Sequence, residues 1–370
     1  MTADAPAFGT FFLPGPTEVR REVLEAMLQP MIPHRGAAFE TLFARLQDGL
    51  RPVFRTTRPV YVASASATGL MEAAVRNAPP GPVLSLVNGA FSERFAQIAR
   101  ACGREVDVVT APLGAIVPMD AVESALQSRR YAAVTVVHSE TSTGAATPLP
   151  LLAALVRAHE AFLLVDSVTG LAGMPVETDA WGLDFVLTGS QKALALPPGL
   201  AFAVASERYR ARMDEGVDRG LYFDLVEFEQ SVHKHQTPNT PALSLLYAAE
   251  AQCAAIAREG IEARWARHAA MARQTHAWVA ELARDTGHPF GILASDGQRS
   301  HTVTAVTVPE GVSADAIVKG AAARGFVIGG GYGTLKASTV RIGHMGDHTP
   351  EGLARCLDAV AATVHSLLPR

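Results

Sequence analysis

Between Val60 and Ala203 the apolar positions come in short unbroken runs, separated by stretches with helical spacing. Val60 to Val62, Val83 to Val87, Val106 to Val109, Val134 to Val137, Phe162 to Val165, Phe185 to Leu187 and Ala201 to Ala203 have the length of strands buried on both faces. Alanine-rich segments such as Leu151 to Glu160 lie between several of them and repeat their apolar residues at helical intervals. That alternation predicts an α/β fold, with a mainly parallel seven-stranded sheet flanked by helices. Few residues separate Lys192 from the run at Ala201, so that last run is expected to return as an antiparallel hairpin strand.

After about Leu245 the pattern changes. A helical stretch from Leu245 stops at Gly260, and another runs from Glu262 to about Arg284. Thr302 to Val308 has strand character, Ala314 to Arg324 helical character, and Arg341 falls in the strand-like run Thr339 to Ile342. The last helix places Leu353, Cys356, Leu357, Val360 and Val364 on one face, with Thr349 positioned to cap it and Pro350 at its first position. The predicted organisation is an N-terminal segment (1–17), a large domain (18–245) and a smaller C-terminal α+β domain (246–370).

Composition narrows the function classes. The chain has 370 residues, 48% of them hydrophobic, and a net charge of −4, so it offers no strongly basic face for a nucleic acid. Met1-Thr2-Ala3-Asp4-Ala5-Pro6 lacks the basic start and apolar core of a signal peptide. The most apolar candidate span, Leu151 to Val165, is broken by Arg157, His159 and Glu160, so no membrane crossing is expected. Cys102, Cys253 and Cys356 are far apart and fit small core hydrophobes in a reducing cytoplasm. His233 and His235 are two residues apart, a spacing that suits no metal-ligand motif, and no metal is expected.

Candidate chemistry concentrates where strands end. Phe162-Leu163-Leu164-Val165 stops on Asp166, and Phe185-Val186-Leu187-Thr188-Gly189-Ser190-Gln191 leads to Lys192. In open α/β sheets ligands bind beyond the carboxyl ends of the strands. A lysine there can form a Schiff base, and an aspartate can pair with the pyridinium nitrogen of pyridoxal phosphate. The apolar residues after Lys192 would desolvate its ammonium and make the neutral, nucleophilic amine accessible. Taken alone, Lys192 is equally a surface lysine at a turn, and Asp166 a structural ion pair or helix cap. Ser64-Ala65-Ser66-Ala67-Thr68-Gly69 lies before a helix, where amide groups and the Ser66 and Thr68 hydroxyls can bind a phosphate. Ordinary helix caps share that composition. His138 to Gly144 adds hydroxyl groups beyond yet another strand, and by itself is an ordinary turn.

These motifs occur together and in one order: Pro14-Gly15-Pro16-Thr17, Met31 to Arg35, Ser64 to Glu72, Asn88-Gly89-Ala90-Phe91, His138 to Gly144, Asp166-Ser167-Val168, Gly189 to Lys192 and Val340-Arg341-Ile342-Gly343. In that set, which spans nearly the whole chain, the protein resembles the class V aminotransferases of the fold type I pyridoxal-phosphate superfamily. Its nearest likeness is to the alanine–glyoxylate, serine–pyruvate and serine–glyoxylate aminotransferases. The resemblance implies that Lys192 carries pyridoxal 5'-phosphate and that Asp166 pairs with its ring nitrogen. It implies that Phe91 stacks on the ring, that Val168 packs on the other face, and that Ser66, Ala67, Thr68 and Gln191 hold the phosphate. Ser142 would bond near the phenolic oxygen, and Arg341 would take the substrate carboxylate in a bidentate fork.

The resemblance also implies a homodimer with shared active sites. Thr240, in Gln236 to Pro241, would reach the partner's phosphate, and His34 and Arg35 would lie at the mouth of the partner's substrate site. A solvated turn after Pro33 accounts equally well for that last pair. Two departures stand out. Ala65 and Ala67 occupy positions where relatives often carry glycine, which restricts backbone torsions. Gly329 to Ser338 is glycine-rich, carries Lys336 and is expected to be flexible and to shape the pocket.

The activity implied is amino transfer from a small amino acid, alanine or serine, to a 2-oxo acid, glyoxylate or pyruvate, by a ping-pong route. Aminoethylphosphonate and ureidoglycine transaminases are the alternatives within the family. A lyase or cysteine desulfurase is less favoured, because Cys356 lies on an apolar helix face and Ser190-Gln191 precedes the lysine where desulfurases carry histidine. A non-catalytic cofactor-binding regulator would bring a DNA-binding module, for which the residues before Pro14 are too few.

Overall fold

The structure is a computed structural model that describes residues 8–216 and 218–368; Met1 to Pro6, considered above for a targeting signal, lies outside them. The chain begins with β1 (Phe11–Phe12), α1 (Arg21–Ala26) and α2 (Ala37–Phe54). Then β2 (Tyr61–Ala63), α3 (Ala67–Arg76), β3 (Val83–Val87), α4 (Ala90–Ala101), β4 (Val106–Thr110), α5 (Met119–Ser128) and β5 (Ala133–Val137) alternate. A two-stranded ribbon, β6 (Ser139–Glu140) with β7 (Ala145–Ala146), precedes α6 (Leu149–Ala158), β8 (Phe162–Asp166), β9 (Phe185–Gly189) and β10 (Ala201–Ala205).

The seven runs predicted from the sequence form one sheet in the order β2-β10-β9-β8-β5-β3-β4. The neighbours among β9, β8, β5, β3 and β4 pair parallel. β10 runs antiparallel to both β9 and β2, as the short connection after Lys192 required. Every residue of β3, β5, β8, β9 and β10 is buried, which explains why their sequences are apolar runs rather than alternating patterns. The register sets Asp166 beside both Val137 and Leu187. The residues that follow β5, β8 and β9 therefore emerge at one edge.

The second half contains α7 (Glu207–Arg210), α8 (Leu225–Val232), α9 (Leu243–Glu259), α10 (Ile261–Thr286), β11 (Gly291–Ile292), β12 (Val303–Thr307), α11 (Ala314–Ala323), β13 (Val327–Gly330), β14 (Thr339–Gly343) and α12 (Pro350–Leu367). A second sheet has the order β1-β13-β14-β12-β11. Two of its members differ from expectation. The near-N-terminal β1 is an edge strand, parallel to β13, and two residues are too few to show a period. The glycine-rich stretch expected to be flexible begins inside β13, where Gly329 pairs with Arg341 and Gly330 with Val340.

Two apolar cores follow these sheets. Buried residues of α2, α3, α9 and the large sheet form one, together with Ile261 and Trp265 at the start of α10. Met271, Val279 and Leu282 further along α10 join Phe12, Ile328, Ile342 and the predicted apolar face of α12 in the other. The Thr349 hydroxyl accepts the Gly352 amide at 3.1 Å and caps α12. Cys102, Cys253 and Cys356 are unpaired. Among the described residues no helix is long and apolar enough to cross a membrane.

Candidate active site

A cleft opens at the carboxyl ends of the parallel strands, lined among others by Ser66, Ala67, Thr68, Phe91, Asp166, Val168, Gln191 and Lys192. Asp166 is the last residue of β8 and only 3% exposed. Its Oδ1 accepts the Val168 amide at 2.8 Å, and no cation among the described residues pairs with it. Burial pushes its carboxyl up to about 7; the Glu140 charge adds to the rise, and the Val168 amide and Lys192 oppose it. Lys192 is 7% exposed. Burial brings its ammonium down to about 8, Arg341 lowers it further, and Asp166 and Glu140 pull the other way. Its Nζ donates to the Pro14 carbonyl and lies 5.9 Å from the centroid of the Phe91 ring.

The motif at Pro14 to Thr17 is thus explained by contact. A Cβ on Gly15, whose φ is +105°, would fall 2.5 Å from the Lys192 side chain, so glycine is required for the segment to lie against the amine. Thr17 anchors the same segment through its amide, which donates to the Gln191 carbonyl at 2.9 Å.

Ser66 is the N-cap of α3 but its hydroxyl accepts no capping hydrogen bond, and the first-turn amides of Ala67 and Thr68 have no backbone partner. A helix start with free amides and hydroxyls, beside Gln191 and facing a buried cation, is a site for an anion such as a phosphate. The expected constraint at Ala65 and Ala67 does not arise: neither residue has positive φ, and Ala67 is the first residue of the helix. The glycine that matters is Gly69, where a Cβ would meet the Phe223 ring at 2.4 Å.

Arg341 is half-buried on β14. Its Nε donates to the Gly330 carbonyl at 2.8 Å and its Nη1 to the Thr141 carbonyl at 3.2 Å. Nη2 makes no hydrogen bond to the described residues, so the outer edge of the guanidinium can still take a carboxylate. Ser142 is engaged: its hydroxyl donates to Glu140 Oε1 at 2.5 Å and accepts the Ala90 amide at 3.1 Å. One lone pair remains available there.

Three predicted residues stand away from the cleft of their own chain. Thr240 is exposed and lines a separate depression with Ser64, Tyr222, Thr237 and Asn239. The Arg35 guanidinium donates to the Thr237 carbonyl at 2.7 Å, the Pro238 carbonyl at 3.0 Å and Gln236 Oε1 at 3.0 Å. It therefore ties the turn after Pro33 to the segment that carries Thr240, which a solvated turn would not do. His34 is half-buried beside it.

Sequence reasoning assigned no role to Glu140, which is fully buried. Its carboxylate accepts the Phe91 amide at 3.2 Å, the Ser92 amide at 3.0 Å, and the Ser142 amide at 3.1 Å besides that serine's hydroxyl. A carboxylate at the start of α4 also suits the positive end of the helix dipole. It links Phe91 to Ser142, and its presence inside the predicted His138 to Gly144 motif was the available signal. His138 supports the other side: its Nδ1 lies 3.0 Å from the Ser167 hydroxyl, and burial pushes the imidazole down to about 4, leaving it neutral. Arg94 also lines the cleft.

The residues present fit pyridoxal phosphate. An unpaired buried carboxylate suits a protonated ring nitrogen, a desolvated lysine suits a carbonyl carbon, and a bare helix start suits a phosphate.

Comparison with known proteins gives an independent line. Residues 83–349 match the family described as aminotransferase class-V. An uncharacterized aminotransferase of Methanocaldococcus jannaschii is 36% identical over 90% of this chain and 87% of its own. The L-aspartate–glyoxylate aminotransferase of Paracoccus denitrificans is 32% identical over 94% of this chain and 88% of its own. The crystal structure of alanine–glyoxylate aminotransferase from Nostoc sp. superposes with a TM-score of 0.89 at 28% identity, covering 98% of this chain and 97% of that one.

Proposed function

The chain belongs to the class V aminotransferases, and from that premise we propose that it moves an amino group from alanine or serine to glyoxylate or pyruvate with pyridoxal 5'-phosphate as cofactor. The observation that carries the reading is the cleft itself. It places a buried carboxylate without a counter-ion, a desolvated lysine and a helix start with unused donors along one wall. The aminotransfer class is a property of the family; the donors and acceptors are our reading, for which the names of the Paracoccus and Nostoc relatives support glyoxylate as acceptor and the latter supports alanine as donor, while the former names aspartate.

When bound, the cofactor supplies an electron-poor ring that takes up the electron pair released at the substrate's α-carbon. Asp166 keeps the ring nitrogen protonated. Phe91 and Val168 would pack against the ring and exclude water from it. Ser66, Ala67, Thr68 and Gln191 would hold the phosphate, and Ser142, whose hydroxyl donates to Glu140, would stand near the phenolic oxygen. Arg341 takes the α-carboxylate and so sets which substrate hydrogen faces the lysine. The Lys192 amine would remove the α-proton and later return one, acting as base and then acid. Its lowered pKa puts a neutral amine within reach near pH 8.

We further propose a cytoplasmic homodimer whose sites are shared, in which Thr240, His34 and Arg35 act on the partner's cleft. Support comes from the Arg35 hydrogen bonds, which make the two segments one unit beside, not inside, their own chain's cleft. We propose neither nucleic acid nor membrane as a partner, and we retain the partition at 17 and 245 as the domain boundaries.

The test is a half-reaction. Purified protein loaded with pyridoxal phosphate is mixed with alanine, serine or aspartate, and the cofactor's absorbance is followed. Conversion to the aminated form by alanine or serine, reversed by glyoxylate, is expected. No conversion by any amino acid would overturn the reading.

A further inference from the structure

Tyr332 is a large aromatic residue held outside both apolar cores, 36% exposed at the tip of the glycine-rich loop. The loop is built to present it. Gly331 precedes it where a Cβ would fall 2.1 Å from the Leu335 carbonyl, and Gly333, with φ +55°, starts a 3-10 turn to Leu335. What fixes the ring is the site. Its centroid lies 5.5 Å from that of Phe91 with 38° between the planes, and 5.6 Å from the Arg341 guanidinium carbon. Its hydroxyl accepts a hydrogen bond from Arg94 Nη2 at 3.4 Å. The contacts with Arg341 and Phe91 join the two ends of the substrate position, because Phe91 lies beside the Lys192 amine.

We propose that Tyr332 is the specificity-determining residue for the side chain of the amino donor. The inference rests on the aminotransferase reading and deepens it. A substrate whose carboxylate is held by Arg341 and whose amino end faces Lys192 has its α-carbon between them. Its side chain then leaves alongside the Tyr332 ring, which admits one or two carbons and collides with branched or longer groups. Phe91 and Arg341 hold the ring in place through its faces, and Arg94 meets its hydroxyl at the exposed rim. The substrate class is therefore α-amino acids with short side chains, selected by exclusion as much as by attraction.

Tyr332→Ala and Tyr332→Phe are compared with the unaltered holoenzyme, using alanine and leucine as donors. The ratio of kcat/KM for leucine to that for alanine is expected to rise by about tenfold or more in Tyr332→Ala, the discrimination a pocket gains from a methylene or two. Tyr332→Phe retains the ring and is expected to keep the ratio within about threefold of the unaltered value. A second measurement does not depend on turnover. Calorimetric titration with propionate and with 4-methylvalerate, carboxylates without the amino group, should show the longer one gaining affinity relative to the shorter in Tyr332→Ala. An unchanged ratio in Tyr332→Ala, whether activity falls on both donors or on neither, would overturn the proposal. If no donor reacts even with the unaltered protein, the aminotransferase reading falls. The carboxylate titration then still decides the role of Tyr332, and equal affinities in the variant and the unaltered protein would sink it.

Discussion

Asp166 ends, and Lys192 follows, a strand in which every residue is buried, whereas Tyr332 stands on a glycine-rich loop and Arg341 on the smaller sheet. The first region is fixed by register. Sliding β8 by one residue would turn its side chains to the opposite face and take Asp166 out of the cleft. The second is fixed by a few hydrogen bonds and ring contacts, so its residues can change without disturbing either core. On the proposed reading, reacting groups stand at the large sheet and recognising groups on the small sheet and its loop, a division that would let one chemistry serve different substrates.

Breaking the sheet side should have the largest effect. Lys192→Ala removes the base and the cofactor's point of attachment. Transamination is expected to fall by at least about 10²–10⁴, the usual worth of a positioned acid–base group. The borohydride-reducible link to the cofactor should disappear with it, as mass spectrometry of the reduced protein would show. A variant that retains both would place the reacting amine elsewhere. On the recognition side, Arg341→Lys keeps the charge but loses the fork and the bond to Gly330. Truncating one partner of a desolvated ion pair costs about 2–5 kcal/mol, or roughly 30- to several-thousand-fold in kcat/KM at 1.36 kcal/mol per tenfold. A thermal melt and a cofactor spectrum close to those of the unaltered protein would separate that loss from unfolding. Unchanged kcat/KM for alanine, serine and glyoxylate would remove Arg341 from the substrate site.

Glu140 acts on both regions only through its charge and should have a smaller effect. Glu140→Gln exchanges charged hydrogen bonds to Phe91, Ser92 and Ser142 for neutral ones and leaves a mismatched donor. A loss of about 1–2 kcal/mol is expected, seen as roughly tenfold weaker cofactor binding at equilibrium with the donor KM little altered. A KM that rises while the cofactor stays tight would instead put Glu140 against the substrate.

The same contrast governs what the sequence made legible. Six strands of the large sheet were visible because burial on both faces leaves apolar runs, the half-exposed edge strand β4 was visible through its valines on either side of Asp107, and Asp166 and Lys192 were visible because each interrupts the apolar pattern. The face of α12 and its Thr349 cap were visible because helical period and capping chemistry are local. β1 was hidden, since its pairing with Val327 and Ile328 joins positions more than three hundred residues apart. Glu140 was hidden in a polar turn: its acceptor role depends on the backbone of α4, which no spacing rule reaches. The shared role proposed for Thr240 and Arg35 involves a second chain, which the period of one chain cannot spell.

The smallest effect concerns stability, and it tests whether Asp166 is as isolated as its burial implies. In the cofactor-free protein its carboxyl stands at about 7 against an ordinary 3.8. Between about pH 4 and 7 the folded chain therefore binds a proton that the unfolded chain has released. Stability contributed by this group falls as pH rises through that window, and the penalty is complete above 7. Asp166→Asn removes the penalty, so the cofactor-free variant should melt higher than the parent at pH 8, and the gain should vanish below about pH 4. The expected shift is a few degrees, on the scale of roughly 2–4 °C per kcal/mol for domains of 150–250 residues. Lys192 behaves with the opposite dependence: lowered to about 8 from 10.5, it costs stability below 8 and is relieved as pH rises toward 10.5. Lys192→Met should accordingly stabilise the cofactor-free protein at pH 7 and lose that gain above about pH 10.5. Differential scanning of the cofactor-free proteins across this range measures both. An Asp166→Asn variant that melts below its parent at pH 8 would mean that the carboxylate already has a partner in the folded chain, and the case for its pairing with a ring nitrogen would fail with it.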